Sequence, residues 1–589
     1  MFAQKSWLYN SYGKIPLILS SLLIILLAFE LVDAEVVTVC QDGCDYSTIG
    51  LGIYHAQPGD IVEVQSGVYI ENIVANKPMV VRGVDTGSGR PMVNGNYNES
   101  GFIIEADGVT LEGFEINNSQ GSYFDLWAGI RVESDNNIIA NNTIYASENG
   151  ILINSSGQNV LENNVLADNK YGIKLDASCN NSILNNTLRE NRFGILFMGS
   201  KNNELKGNEV SSSDSIGIKL DASLDNILRD NRMQNNNYNF AASGRNDIDI
   251  SNLVNSRSVY YLVGLYNLVL DASSAAGVVC CINCRNMTFK DLDLNGNLNG
   301  IFLLNTSQST IKNCSITGSE CGIKLESSVK NALLNNTAFN NTLGISLVNS
   351  TNDLISGNSL QENNQAGLNL ELSREDNIRG NLFSKNMQGM IIKESDNNLI
   401  KGNNLSDNLG KGIFLFKSLG NNISRNRING NNIGMELEKA WKTRVSGNEI
   451  IENKKGMILK CGINNDLSAN NITNNLLGLS LDRSGNNTVN NSLHNNIKDE
   501  EELPPCSQTT AISGPSSSGI EVIIKSDPEG AEARLDKEYI GDTHNPITVY
   551  LRRGDYSLKL ELEGYYTNSS IISIPGSKNV MIELTKKEI

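Results

Sequence analysis

The sequence predicts an all-β chain: a parallel β-helix with three strands per coil of about 22 residues, followed by a small β-sandwich. Three observations predict it. A glycine that opens a Gly-apolar-x-apolar tetrad stands at 129, 150, 172, 194 and 217, then at 277, 300, 322, 344, 367, 389, 412, 434, 456 and 478, mostly 21 to 23 residues apart. An asparagine in an apolar-x-x-Asn-x-apolar unit keeps the same period at 142, 164, 186, 208 and 231, and again at 336, 358, 381, 403, 426, 448, 470 and 491, with Cys314 in the slot before 336. A further series, including Asn169, Asn191, Asn341, Asn364, Asn386, Asn431, Asn453 and Asn475, stands three residues before its glycine.

Each repeat therefore holds three short alternating apolar segments separated by turns of Asn, Gly and Ser. Alternation means strands, and three strands per repeat means a coil with three faces. Coils stacked about 4.8 Å apart pair every strand with its counterpart one turn later. Asparagine is poor in helix interiors and depleted in strands. At a corner, however, it tolerates the left-handed conformation, and in register its amide can donate and accept along the stack. The asparagines are read as scaffold. Leucine-rich repeats share the period and an L-x-x-N-x-L unit, but need a helical convex segment. Intervals such as "SGQNVLENNVLADNKY" have no helical face.

The elements follow in order. Residues 1–34 read as a signal peptide, since Lys5 and Lys14 precede "IPLILSSLLIILLAF" and small Ala34 marks a cleavage point before Glu35; an uncleaved anchor is the alternative. The apolar run is short for a spanning helix of about 20 residues, and no second run of that length follows. Residues 35–128 should form the N-terminal coils and cap, and 129–497 the repeats, with an interruption near 240–276 that is either a bent coil or a break between two units. The stretch 498–519, "KDEEELPPCSQTTAISGPSSSG", reads as a linker. Residues 520–589 alternate between Pro-Glu-Gly, Gly-Asp and Glu-Gly turns, which makes the β-sandwich.

The 48 basic and 65 acidic residues give a net charge of -17, which argues against nucleic acid or an anionic membrane surface as partner. Ten cysteines in an exported chain invite disulfides, and Cys40 and Cys44 are close enough to clasp a turn. Cys280, Cys281 and Cys284 lack a second matching pair and a nearby histidine, so no metal site is assigned to them. The three histidines, at 55, 494 and 544, form no ligand set in sequence.

In Gly-Ile-x-Leu-x the Ile and Leu should point inward and the x positions outward, onto a flat ribbed face. Three tetrads nearly coincide there, presenting Lys174 with Asp176, Lys219 with Asp221, and Lys324 with Glu326 as candidate ligand-binding pairs; Glu133, Glu371, Glu438 and Asp482 hold the carboxylate position elsewhere. Asp176 and Asp221 belong to coils two apart, so their carboxylates should lie about 10 Å from one another, too far to share a calcium ion with ligands at about 2.6 Å. A solvated face of ion pairs is the favoured reading, with no catalytic residue assigned. Tyr123, Phe124 and Trp127 in "SQGSYFDLWAGI" are candidate sugar platforms or plugs for the coil beneath, and Trp441 at a corner is similar. No phosphate-binding loop, dinucleotide fingerprint, zinc-protease helix or nucleophile elbow is present. Sequons at Asn98 and Asn568 lie off the ladder and are the better glycosylation candidates.

The repeats resemble the right-handed parallel β-helix family of pectate-lyase-like proteins, and particularly its NosD-like branch of exported proteins. The segment "YSTIGLGIYHAQPGDIVEVQSGVYIENIVANKPMVVRGV" is similar to the first coils of such proteins, and "NDIDISNLVNSRSVYYLVGLYNLVLD" to a segment inside archaeal NosD-like chains. The resemblance spans about residues 36–497. The last 70 residues resemble PEGA domains, whose motif stands intact as Pro528-Glu529-Gly530-Ala531. The resemblance implies an accessory role for that domain, a secreted or cell-surface location, and calcium as the one cofactor to consider. Three functions follow: binding or organising an extracellular glycan or envelope component, which the composition, the signal segment and the ribbed face support, and polysaccharide lysis or hydrolysis or maturation of a periplasmic copper enzyme, which the resemblance implies. The first is favoured, because the carboxylates fall on alternate coils and histidine is scarce.

Overall fold

The computed structural model describes residues 34–504 and 520–586, apart from 98, 120–125, 483–484, 536–537, 543–546, 552–553, 563–564 and 575–578. The expected signal segment, Tyr123, Phe124, Asn98, His544 and most of the expected linker lie outside the described residues.

The chain winds into a parallel β-solenoid of about 21 turns with three sheets. One coil shows the rule. Ser182–Leu184, Thr187–Arg189 and Phe193–Met198 are its three strands. They pair in parallel with the next coil as Ile183↔Leu205, Leu188↔Val210 and Ile195↔Ile218. In-register stacking sets like on like, so Ile183, Leu188, Ile195 and Phe197 line a continuous buried core.

Paired asparagines divide two tasks between them. In "ILNNTL", Asn185 takes φ 52° at the corner, while its neighbour Asn186 is buried and forms the rung. Asn186 Nδ2 donates to Leu161 O at 2.9 Å and to Asn208 Oδ1 at 3.0 Å. Its Oδ1 accepts from the backbone N–H and the side-chain amide of Asn164, each at 3.0 Å. Corner groups that a strand ladder leaves orphaned are thus satisfied without water. In the series that precedes the glycines, the rung is Asn363 rather than Asn364, for Asn363 Nδ2 donates to Asn386 Oδ1 at 2.9 Å. The tetrad glycines answer to crowding: a Cβ on Gly344 would meet Gly367 O at 2.5 Å on the next coil.

The N-terminal end is covered by a short helix, Ile49–His55, whose Ile49 and Ile53 enter the core. Thr48 caps it by accepting the Leu51 N–H, and Glu71 accepts the N–H groups of Ile49 and Gly50, both at 3.0 Å. At the other end, Lys498–Glu502 pairs in parallel with Leu477–Leu481. The stack therefore runs on into the stretch expected as linker, and Lys-Asp-Glu-Glu-Glu is its outermost strand.

The interruption is a reversal of the chain. Tyr238–Ala242 ends an eight-stranded sheet and Asp247–Ile248 a ten-stranded one. Leu253–Val254 then turns back through Asn255 and Ser256, at φ 48° and 66°, into the antiparallel Arg257–Val263. That strand pairs in parallel with Ala276–Ile282, and the ladder it opens continues to Lys498–Glu502. Ala276–Ile282 is buried along its whole length. Val278, Cys280 and Ile282 join the first core with Val259 and Tyr261, while Val279 and Cys281 join the second. The break thus separates two β-helical units that share a wall, and the outer face of the second closes the end of the first. Phe240 meets Tyr261 edge-on at 6.5 Å, Tyr261 donates to Gly244 O at 2.7 Å, and Tyr238 donates to Glu320 at 2.7 Å.

The C-terminal residues form two small sheets, one of three strands and one of four, around a single core that includes Val522, Ile524, Leu558 and Leu560. Gly530 needs its place in the Pro-Glu-Gly-Ala motif because its φ is 96°, and Ala531 fills the core beside it.

Candidate functional site

The three Lys–carboxylate pairs form, at 3.7 Å for Lys174–Asp176, 2.7 Å for Lys219–Asp221 and 2.8 Å for Lys324–Glu326. They do not share one face. Lys174 and Lys219 lie on the eight-stranded sheet, whereas Lys324 lies on the ladder that starts at Arg257–Val263. The reversal moves the tetrad strands from one sheet to another, which the near-identical tetrads on either side of the gap between Gly217 and Gly277 hide. Asp176 and Asp221 flank Met198 in register, so they do belong to alternate coils. The first unit also departs from a solvated face: the Lys174 side chain is only 7% exposed, and Leu152, at the outward position one coil before, is 0% exposed. Lys174 Nζ lies 5.5 Å from the centroid of Tyr171, whose ring stacks on Phe193 at 5.1 Å.

Trp127 is half-buried, and its carbonyl accepts the Asn149 backbone N–H at 3.1 Å. Trp441 is buried in the corner ladder between Leu419 and Ile463, so it is structural rather than a platform. Cys40 pairs with Cys44. Alternation sends Cys280 into the first core, while Cys281 in the second pairs with Cys284.

The richest chemistry among the described residues lies on the second unit, over the strands Gln388–Lys393, Lys411–Phe416, Ile433–Glu438 and Lys455–Lys460. Phe414 and Phe416 both point outward and half-exposed, with centroids 6.1 Å apart and rings inclined by 32°. Lys411 Nζ lies 3.4 Å from the Phe414 centroid, and Lys417 and Lys439 lie 5.5 and 5.9 Å from that of Phe416. Glu436, with its side chain 4% exposed, bridges Lys411 at 2.9 Å and Lys460 at 2.7 Å. Burial pushes the Glu436 carboxyl up, but the two lysines outweigh it and hold the group below the usual range. Glu371 pairs with Lys393 at 2.8 Å across adjacent coils. The signal was in the sequence: "GIFLFKS" carries aromatics at both outward positions of its tetrad, where the other coils are largely polar or aliphatic.

Residues 59–267, 246–409 and 373–502 match the family described as periplasmic copper-binding protein (NosD). The chain belongs to the NosD family. Residues 520–588 match the PEGA domain. No curated protein matches. Among solved structures, the Dettilon tailspike protein is similar at 13% identity over 57% of this chain and 66% of its own, with a TM-score of 0.30. The A-module of mannuronan C-5 epimerase AlgE4 from Azotobacter vinelandii is similar at 15% identity over 77% of this chain and 91% of its own, with a TM-score of 0.21. PfbA, a surface adhesin of Streptococcus pneumoniae, is similar at 13% identity over 60% of this chain and 84% of its own, with a TM-score of 0.27.

The described residues of this NosD chain do not fit copper. No three His, Cys, Asp or Glu side chains among them converge as ligands. His55 stacks on Tyr46 in the N-terminal cap, and His494 lies in the last coils. Met390, Met435 and Met457 sit within the second core as apolar filling. No helix among the described residues is long and apolar enough to cross a membrane.

Proposed function

We propose that this NosD-family chain is an extracytoplasmic glycan-binding repeat protein, which holds polysaccharide along the outward face of its second β-helical unit. The observation that carries the reading is the pair of outward rings Phe414 and Phe416, set among lysines and carboxylates on a flat, rigid ladder. Aromatic faces match the C–H faces of pyranoses, and the flanking charges offer donors and acceptors for hydroxyl groups. Binding is favoured over lysis because three carboxylates of this ladder are paired with lysines. Glu326, Glu371 and Glu436 each hold a lysine within 2.9 Å, which ties up those carboxylates as bases. The family description is of a periplasmic protein, and the Cys40–Cys44 and Cys281–Cys284 disulfides suit an oxidising exterior.

The test is co-elution of the protein with a panel of neutral and acidic polysaccharides on size-exclusion chromatography, with chain length followed in the same run. Retention that falls at least tenfold in the Phe414→Ala/Phe416→Ala variant, with chain length unchanged, is expected. Shortened polysaccharide would overturn the reading in favour of an enzyme. Retention indifferent to the two rings would place the face elsewhere and overturn it too.

A further inference from the structure

The junction between the units carries a second feature. Where the second unit begins, its first three coils leave a groove of about 600 Å³, lined by Gly264, Tyr266, Asn267, Arg285, Asn286 and Gln308 among others. Tyr266 is 73% exposed, and its neighbours Leu265, Leu268 and Val269 are exposed as well. Tyr266 pairs with Arg285 and Arg285 with Ser307 in the corner ladder, so the groove runs along the stack. Asn286 Nδ2 donates to Asn267 Oδ1 at 2.7 Å and Arg285 Nε to Gln308 Oε1 at 2.9 Å, which fixes the polar wall.

The charge of that wall has no carboxylate set against it. On the tetrad faces Lys219, Lys324 and Lys393 each hold a carboxylate within 2.8 Å, whereas Arg285, on the corner, makes no ion pair among the described residues. Its terminal N–H groups have no protein acceptor among the described residues, and a chain of net charge -17 has ample carboxylates with which to neutralise it. A guanidinium held by one edge, with its fork open to a groove, is arranged for a bidentate anion. The exposed ring of Tyr266 one coil away supplies an apolar platform, and the amides supply donors and acceptors for hydroxyl groups.

We propose that this groove is a separate subsite for an acidic sugar residue, its carboxylate on the Arg285 fork and its ring against Tyr266. The inference rests on the glycan-binding reading, and places its charge selectivity at the junction rather than on the Phe414–Phe416 face. It gives the interrupted segment a role: the chain reversal exposes a corner that an unbroken stack would cover with another coil.

The experiment uses the full mature chain, with a glucuronate-terminated trisaccharide and its methyl ester as probes in titration calorimetry. Wild type should bind the acid about tenfold more tightly than the ester, a preference that shrinks as salt is raised. Arg285→Gln should abolish the preference and leave ester binding in place, and Arg285→Lys should restore part of it. Tyr266→Ala should weaken both probes alike. Retention of polysaccharide by wild type without any preference for the acid would overturn this inference alone. A preference that survives Arg285→Gln in a protein with an unchanged melting curve would do the same. Failure of wild type to retain any polysaccharide would instead overturn the reading beneath it.

Discussion

Two rungs of the asparagine ladder are acids, and they should make the second unit sensitive to alkali. Asn331 donates its backbone N–H to Asp353 Oδ1 at 2.7 Å, Asp353 to Asp376 Oδ1 at 2.9 Å, and Asp376 to Asn398 Oδ1 at 2.9 Å. Both carboxyls are 1% exposed. At a neighbouring rung, Asn381 Nδ2 donates to Ile355 O and to Asn403 Oδ1, both at 2.9 Å. Asp353 and Asp376 put Oδ2 in place of that amide, and neither Oδ2 has a hydrogen-bond partner. A protonated carboxyl repairs the rung, because its O–H can donate where the amide would. Burial pushes Asp353 up from 3.8 to about 7, and burial together with the charge of Asp353 pushes Asp376 up to about 8.

The sign follows from those values. Below about pH 3.8 both groups are protonated folded and unfolded, and their contribution is intact. As pH rises, unfolding releases a proton from each, so stability falls by about 1.4 kcal/mol per pH unit per group until the folded acid ionises. Carried through to pH 9, the loss is about 4 kcal/mol at Asp353 and about 6 kcal/mol at Asp376. Asp353→Asn/Asp376→Asn should remove most of that slope and raise stability at pH 9 by several kcal/mol. Urea unfolding at intervals from pH 4 to 9 reads it, with the carboxylic-acid C=O stretch in the infrared spectrum as an independent probe. Wild type equally stable at pH 5 and pH 9, or a double variant with the wild-type slope, would refute the reasoning.

Other rungs and contacts lend themselves to simpler tests. Asn186→Ala leaves the Asn164 backbone N–H and one of its two amide N–H groups without an acceptor, the other still donating to Ile139 O, and should cost about 3 kcal/mol in urea unfolding. Gly344→Ala sets a Cβ 2.5 Å from Gly367 O, and the overpacking should cost about 1–3 kcal/mol by the same measurement. Glu436→Gln leaves Lys411 and Lys460 without their shared carboxylate; with both lysines partly exposed, the cost should be about 1–2 kcal/mol at neutral pH. Because the Glu436 carboxyl is held below its usual range, its contribution is lost as pH falls through the folded value, and a melting series on acidification should show that loss in wild type alone. Cys179 is exposed, whereas burial pushes Cys280, Cys314 and Cys321 up to about 12, 11 and 12. Iodoacetamide at pH 8 should therefore alkylate Cys179 and leave those three untouched, as read by peptide mass spectrometry.

The coil was legible because each rung enforces it chemically: a buried amide must find its twin one turn on, and that demand prints a period. The two units were legible only as one of two alternatives for the interruption, since the glycine tetrads resume with their old spacing after the reversal at Asn255 and Ser256. A clue was present in "VVCCI", where an unbroken apolar run marks a strand buried on both faces. Lys174 read as solvated because spacing assigns direction and says nothing of the Tyr171 and Phe193 rings beside it. Asp353 and Asp376 escaped because the series had been followed through asparagine, whereas the structure uses the slot for any side chain with an oxygen at the right depth. Phe414 and Phe416 stood in outward positions already defined by the tetrad, and only the search for charge passed over them.

A stack of strands that stops leaves an unpaired edge, and a repeating edge is a template for another copy of itself. The helix Ile49–His55 lies over the near end of this chain and the shared wall over the middle. At the far end the last strand holds four carboxylates in the five residues Lys498–Glu502. A second molecule docking tail to tail there would set like charge against like charge at strand spacing, which disfavours that pairing. The same charges imply that acid, by neutralising them, eases tail-to-tail pairing of two molecules even as it strengthens the acidic rungs inside.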